Sequence, residues 1–415
     1  MPAMILPRRA LIQAGLGSLI SLGTTGWAAR VQAAPDRDRR LVVVFLRGAL
    51  DGLSVVVPHS DGDYYRARPR LAVPRPGKPD GAIDLDGHFG LHPALEALLP
   101  LWRRGSLAFV HACGLPAPNR SHFDAQEAIE SAAPGFKGAD DGWMNRLLAV
   151  LPATTAPVRA IHLGSTLPRI LAGAEPVASL APGRAATRAQ PLDRPQVAAA
   201  FDALYSGSDP LSHAYREGRS ARRVIQESLS STGEDDTASN GAALPGSAFT
   251  GDARRLAQLM VRNPEVQLAF MALGGWDTHV NQGTNRGQLA LRLRALGQGL
   301  AAFAAELGPL FEHTAIVVSS EFGRTVRENG NGGTDHGYGN VLWLAGGAVK
   351  GGKIHGGWPG LAADRLFEGR DLPVTTDFRS VIATVLERHL LLDDRRVQRV
   401  LPGFAAERAD VMYSS

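Results

Sequence analysis

A single cysteine, Cys113, stands among the 415 residues. No disulfide can therefore form within the chain, and a fold stapled by disulfides is excluded. The residue reads as a small apolar packing group. An excess of charge of one sign is also missing. Residues 1–33 hold Arg8, Arg9 and Arg30 and no acid, and without them the net charge falls from +4 to +1. The basic balance belongs mainly to that segment, which argues against a nucleic-acid partner. No internal repeat is visible. What remains is an ordinary globular composition, 44% hydrophobic and 20% charged, long enough for one large domain or two ordinary ones.

The N-terminus reads as an export signal rather than as part of the fold. Pro7-Arg8-Arg9-Ala10-Leu11-Ile12 is a twin-arginine start, Ala14–Trp27 is mildly apolar, and Val31-Gln32-Ala33 supplies small residues at the cleavage positions. The apolar stretch is too short and too weakly apolar to stay as a membrane anchor. The expectation is a twin-arginine signal at 1–33 and a mature protein that is periplasmic or secreted, exported folded.

Buried strands alternate with helices through the rest. Leu41–Leu46, Ser106–His111, Val158–Leu163, Gln267–Leu273, Ala315–Ser320 and Val341–Ala345 are short apolar runs of the kind a parallel sheet covers on both faces. Leu91–Leu99, Gln196–Tyr205, Leu211–Ser228, Asp252–Val261, Leu289–Leu307 and Asp377–Leu391 read as helices. The alternation predicts one doubly wound, mostly parallel α/β domain over 38–412, flanked by helices. A helical and loop cap insertion is expected at 165–262, with Ser230–Gly251 as a polar Gly/Ser-rich loop. Ser60–Asp86, rich in Pro, Gly and charge, reads as a surface excursion.

Polar residues gather just past the predicted strands, where ligands of open α/β sheets sit. Asp51 follows the first strand among glycines. Ser121 and His122 open a helix after the second, where backbone N–H groups suit an anion. Asp277 and His279 follow Gly274-Gly275-Trp276. Glu321 and Arg324 follow Ser320, and a loop with five glycines between Gly330 and Gly339 delivers Asp335 and His336. Two histidines with a carboxylate suit zinc or another first-row metal. Arg47, Arg120 and Arg324 are the guanidinium groups that could clamp an anionic ester. His92 and His111, beside apolar runs, read as core histidines.

RGALDG, NRSHFDAQ, GGWDTH and SEFGRTVRENGNGGTDHG resemble the exported, sulfatase-like family of domain of unknown function 1501, over nearly all of the mature chain. That family is related to the alkaline phosphatase superfamily, whose members act on phosphate or sulfate esters at a two-metal site. The resemblance implies an alkaline-phosphatase-like fold with Ser121 as nucleophile, and Ser121, His122 and Arg324 are the catalytic residues expected. It implies metal ligands among Asp51, Asp277, His279, Glu321, Asp335 and His336. Two alignments stand open, one with Glu321-Phe322 in the place of the usual Asp-His pair and one with Asp335-His336 there. The first leaves one metal site complete in type and the second short of its histidine. One divalent ion, zinc, is therefore expected rather than two. A formylglycine sulfatase is disfavoured, because Cys113-Gly114-Leu115-Pro116 lacks the required spacing.

The function expected is an exported metal-dependent hydrolase or transferase acting on a phosphate or sulfate ester, such as one of a glycan or lipid. The alternative is a non-catalytic periplasmic binding or assembly factor that keeps the fold and a partial metal site.

Overall fold

The computed structural model describes residues 38–133, 140–186, 188, 190–230 and 245–414. The expected signal at 1–33 and residues 231–244 of the loop expected over Ser230–Gly251 lie outside them; the end of that stretch, expected as loop, is instead the first part of the helix Pro245–Arg262. Twelve strands occur among these residues: β1 (Arg40–Leu46), β2 (Val56–Val57), β3 (Ile83–Asp84), β4 (Gly90–Leu91), β5 (Leu107–Gly114), β6 (Ala160–Leu163), β7 (Ala178–Leu180), β8 (Leu268–Leu273), β9 (Thr314–Ser320), β10 (Asn340–Ala345), β11 (Lys353–His355) and β12 (Thr376–Asp377). Nine of them form one sheet in the order β11-β5-β10-β9-β1-β8-β6-β7, with β12 also paired to β5. β1 pairs in parallel with both β8 and β9. β10 alone runs against its neighbours β9 and β5.

The sheet is covered on both faces because its strands are apolar on both. In β1 every residue is buried. Val42, Val44 and Leu46 pack with Leu256, Met260, Leu293 and Phe303 of the helices Pro245–Arg262 and Gln288–Leu307. Leu41, Val43 and Phe45 pack on the other face with Ile129, Met144, Leu147, Val381 and Val397. Each such side chain contributes about 1.5–3 kcal/mol by leaving water. This is the expected doubly wound architecture, mostly parallel and flanked by helices. Within the stretch 165–262, β7 closes one edge of the sheet and the helix Pro245–Arg262 lies against the helix Gln288–Leu307.

Three details depart from the expectations. Asp377–Leu391 is not one regular helix: an α-helix over Phe378–Thr384 runs on into a π-helical turn, Val385–His389. Helices at Trp143–Val150 and Asp394–Val400 were not anticipated. The excursion Ser60–Asp86 is more than surface. Tyr64, Val73 and Ala82 form a small third core with Leu53, Val57, Val326 and Leu372, beneath the sheet β2-β4-β3. Arg68 within it is fully buried.

Candidate metal centre

The parallel strands β1, β5, β8 and β9 all end at one edge of the sheet. β10 is antiparallel, so its beginning lies at that same edge. A loop entering β10 therefore reaches the loops leaving the others, which is how Asp335 and His336 come to face Asp277, His279, Glu321 and His122.

Three imidazoles share one pattern there. His122, the first residue of the helix His122–Ser131, has Nδ1 2.8 Å from Glu321 Oε1. His279 has Nδ1 3.0 Å from Asp335 Oδ1. His336 has Nδ1 2.9 Å from the Arg120 carbonyl. Each Nδ1 thus has a carboxylate or carbonyl to accept its proton, and with the proton there each Nε2 keeps a lone pair. The three Nε2 atoms then gather around Asp277. Its Oδ1 is 3.0 Å from His279 Nε2 and 3.3 Å from His336 Nε2, and its Oδ2 is 3.5 Å from His122 Nε2. His279 Nε2 and His336 Nε2 are 3.0 Å apart. Ligand atoms of His122, Asp277 and His336 lie within 4.8 Å of one another.

Two lone pairs facing each other repel unless a cation or a shared proton lies between them. Nitrogens on one tetrahedral zinc sit roughly 3.3 Å apart, from a Zn–N distance of about 2.0–2.1 Å. The donor set of His122, Asp277 and His336, two imidazole nitrogens and a carboxylate oxygen with His279 Nε2 at 3.0 Å from Asp277 Oδ1, fits a borderline-soft divalent ion. His122 Nε2 is buried without a hydrogen-bond partner, as expected of a lone pair kept for a ligand.

The supports of these side chains are themselves fixed. Glu321 is fully buried and accepts from Gln126 Nε2 at 2.9 Å, from Gly48 N at 2.8 Å and from Ser320 Oγ at 2.8 Å. Burial pushes its carboxyl up, but the bonds from Gln126, the backbone and Ser320 outweigh that and hold it below the usual value. Asp277 is also displaced upward by burial and more strongly downward by Arg324 and the histidines. Asp335 is held down first by its bond from Asn329 and then by His279. Burial lowers the basicity of His336, which favours the neutral ring a metal requires. Gly48, at φ +116°, allows the close passage: a Cβ there would meet Asp277 N at 2.6 Å. Gly333 does the same beneath His279, whose carbonyl carbon would lie 2.3 Å from its Cβ.

Of the residues expected at the site, the structure gathers His122, Asp277 and His336, with His279 against Asp277 and His336, and sets Glu321 and Asp335 one bond behind as supports; His122, expected as a catalytic residue, stands here among the candidate ligands. Asp51 stands apart. Both its oxygens hold Arg68, at 2.6 and 2.9 Å, and Oδ2 also accepts from Ser54 and Gln282, each at 2.7 Å. The sequence reading set it beside a metal; here its acceptor capacity is used up in a buried ion pair. Arg324 was expected to clamp a substrate. It is fully buried instead, donating to the carbonyls of Gly48, Ala49, Trp276 and Thr334 and, at 2.6 Å, to Asp277 Oδ1, so it positions Asp277. Arg47 is held by Gln126 and Glu130, and Arg120 by Glu368 and Asp371. Ser121 caps its helix, its Oγ accepting from Asp124 N at 3.4 Å, directly beside His122.

Gln126, Asn329 and Arg68 escaped the sequence reading. Gln126 had a signal: it lies one turn after His122 on the same helix, so both side chains share a face. Asn329 bonds Asp335 Oδ1 at 3.1 Å and the His279 carbonyl at 2.9 Å, and only the loop's folding brings these together.

The family described as "Protein of unknown function (DUF1501)" matches residues 108–401. The chain belongs to that family. No curated protein matches it. Among solved structures, Ps i-CgsB in complex with k-i-k-neocarrahexaose is similar at 11% identity and a TM-score of 0.34, over 82% of this chain and 68% of that one. The lipoteichoic acid synthase LtaP from Listeria monocytogenes is similar at 8% identity and a TM-score of 0.32, over 74% of this chain and 65% of that one. This chain thus spans less than two thirds of LtaP. Likenesses this distant say nothing about what a DUF1501 chain acts upon.

Proposed function

We propose that this DUF1501 protein is a metal-dependent hydrolase or transferase acting on a phosphate or sulfate ester. One divalent ion, zinc by its donor set, would be held by His122, Asp277, His279 and His336. The observation that carries the reading is the shared tautomer: three rings whose Nδ1 protons are taken by Glu321, Asp335 and the Arg120 carbonyl, leaving three Nε2 lone pairs around one carboxylate. Such an ion supplies fixed positive charge to an anionic ester and to the oxyanion that develops during transfer.

The chain's own groups do the rest. Glu321 and Asp335 keep His122 and His279 in the liganding tautomer. Arg324 fixes the angle of Asp277. Ser121, which caps the helix that carries His122, would be the attacking hydroxyl in this reading, and the helix N–H groups beside it favour an anion. Export by the twin-arginine route, to the periplasm or outside the cell, belongs to the same reading and rests on Arg8-Arg9 and the small residues that end at Ala33. Among the described residues no helix is long and apolar enough to cross a membrane.

One observation favours the second reading, a binding or assembly factor with a partial metal site. Arg47, Arg120 and Arg324 are all engaged within the protein, so none of the three guanidinium groups expected to hold an ester is free to do so. Turnover of a panel of phosphate and sulfate monoesters, with and without chelator, tests the choice. The enzyme reading requires chelator-sensitive turnover that is lost in Ser121→Ala while bound metal is retained. A protein that holds metal yet turns over no ester in either form would support the binding role.

A further inference from the structure

A cavity of about 470 Å³ opens beside the histidine cluster, lined by Arg66, Thr325, Arg327, Glu328, Asp335 and Arg370 among others. It shares Asp335 with the centre, since the same side chain holds His279. Its wall is fixed by backbone bonds: Thr325 N donates to Asp335 O at 2.9 Å, Val326 N to Arg370 O at 3.2 Å and Glu328 N to Ala67 O at 3.1 Å. Behind it the buried Arg68 donates to the carbonyls of Thr325 and Val326, each at 2.9 Å.

The cavity's acids are paired, and so is Arg66, whereas Arg327 and Arg370 keep donors to spare. Asp63 is paired with Arg66. Glu328 accepts from Arg70 Nε at 2.7 Å and from the amides of Arg70 and Leu71. Asp335 is taken by His279 and Asn329. Arg327, by contrast, is exposed and makes no ion pair among the described residues. Arg370 donates to the His336 carbonyl at 2.7 Å and otherwise has Asp371 at 3.6 Å, a carboxylate held more tightly by Arg120 at 2.5 Å. Two guanidinium groups thus face a preformed space with donors to spare. Arg370 reaches the backbone of the candidate centre through its bond to the His336 carbonyl. Guanidinium groups hold sulfate, phosphate and carboxylate through paired N–H bonds.

We propose that this cavity binds a second anionic group of the substrate, so that the protein acts on molecules carrying at least two anionic groups, one at the histidine cluster and one at Arg327 and Arg370. The inference rests on the histidine cluster being the reaction centre.

The test compares glucose 1,6-bisphosphate with glucose 6-phosphate by titration calorimetry on the full mature chain, with metal content measured on the same samples. The wild type should bind the bisphosphate roughly tenfold or more tightly than the monophosphate, the worth of a charge-assisted pair. Arg327→Gln should abolish that preference while leaving metal content and monophosphate affinity unchanged, and Arg327→Lys should restore part of it. Equal affinities in the wild type, or a preference that survives Arg327→Gln, would overturn the proposal. The metal readout separates the two claims: a wild type that holds its metal and shows no preference refutes the cavity alone. A preference that depends on Arg327 in a protein that takes up no metal refutes the reaction centre and keeps the cavity.

Discussion

Glu321 Oε1 and His122 Nδ1 meet at 2.8 Å, joining the loop after β9 to the helix after β5. The pair decides which nitrogen His122 offers to Asp277. Glu321 is buried and also accepts from Gly48, Gln126 and Ser320, so its position is fixed before any ligand arrives. Replacing Glu321 by Gln keeps an acceptor for His122 and removes the negative charge. The expected outcome is a folded protein with metal affinity lowered about 10- to 100-fold, the usual effect of losing an outer-shell partner. Competition with a chromophoric chelator reads it; unchanged affinity would show that Glu321 does not tune the ring.

Arg324 acts through geometry. Its guanidinium joins four carbonyls to Asp277, a fork a lysine cannot reproduce. Arg324→Lys should destabilise the fold by about 2–4 kcal/mol, since it leaves buried carbonyls unpaired. Urea denaturation measures this, and a loss within about 0.5 kcal/mol, the range of an ordinary surface change, would contradict the assignment.

Asp51 and Arg68 form a buried pair, and breaking such a pair from one side costs about 3–5 kcal/mol. Arg68→Met should therefore cost that much, and Asp51→Asn/Arg68→Met together clearly less. If the double variant loses as much as the sum of the singles, the two residues do not act as a pair.

Acid should unfold the protein through histidines far from the centre. In His111, Nε2 donates to Val56 O at 3.0 Å and Nδ1 accepts from Ala112 N at 3.2 Å. His92 has the same arrangement with Thr284 O and Ala94 N. Neither ring has room for a second proton, and burial lowers both pKa values to about 4. The unfolded chain takes up these protons near pH 6.5 and the folded one does not. Stability is therefore complete above pH 6.5 and falls as pH drops toward 4, by up to about 3 kcal/mol for each ring. Urea midpoints at pH 7, 5.5 and 4.5 should show the decline, and His111→Gln should flatten it even if its stability at pH 7 is lower. An equal decline in that variant would place the acid sensitivity elsewhere.

The sequence was most informative where a residue's surroundings are local. β1, β8 and β9 were legible because strands buried on both faces read as unbroken apolar runs. Asp277, His279 and His336 were legible because they follow or precede such runs among glycines. The direction of β10 was not, since Val341–Ala345 has the same hydropathy in either sense. Direction is what brings His336 across to His279. Arg68 was hidden for a related reason: a charged residue in a Pro- and Gly-rich stretch reads as surface until its partner, Asp51, is known to lie beneath it. The division of the carboxylates into ligand and support could not be read either. All three are carboxylates in loops beside strands, and what sorts them is the ring nitrogen they meet: Nε2 for Asp277, Nδ1 for Glu321 and Asp335.

Elemental analysis of the protein, purified without chelator beside a His279→Ala/His336→Ala variant, decides whether the centre holds a metal. The account predicts one divalent ion per chain in the wild type and none in a variant that still folds. A wild type that binds no metal even after reconstitution would contradict it, because three imidazoles held with their lone pairs toward one carboxylate would then have no ligand to serve.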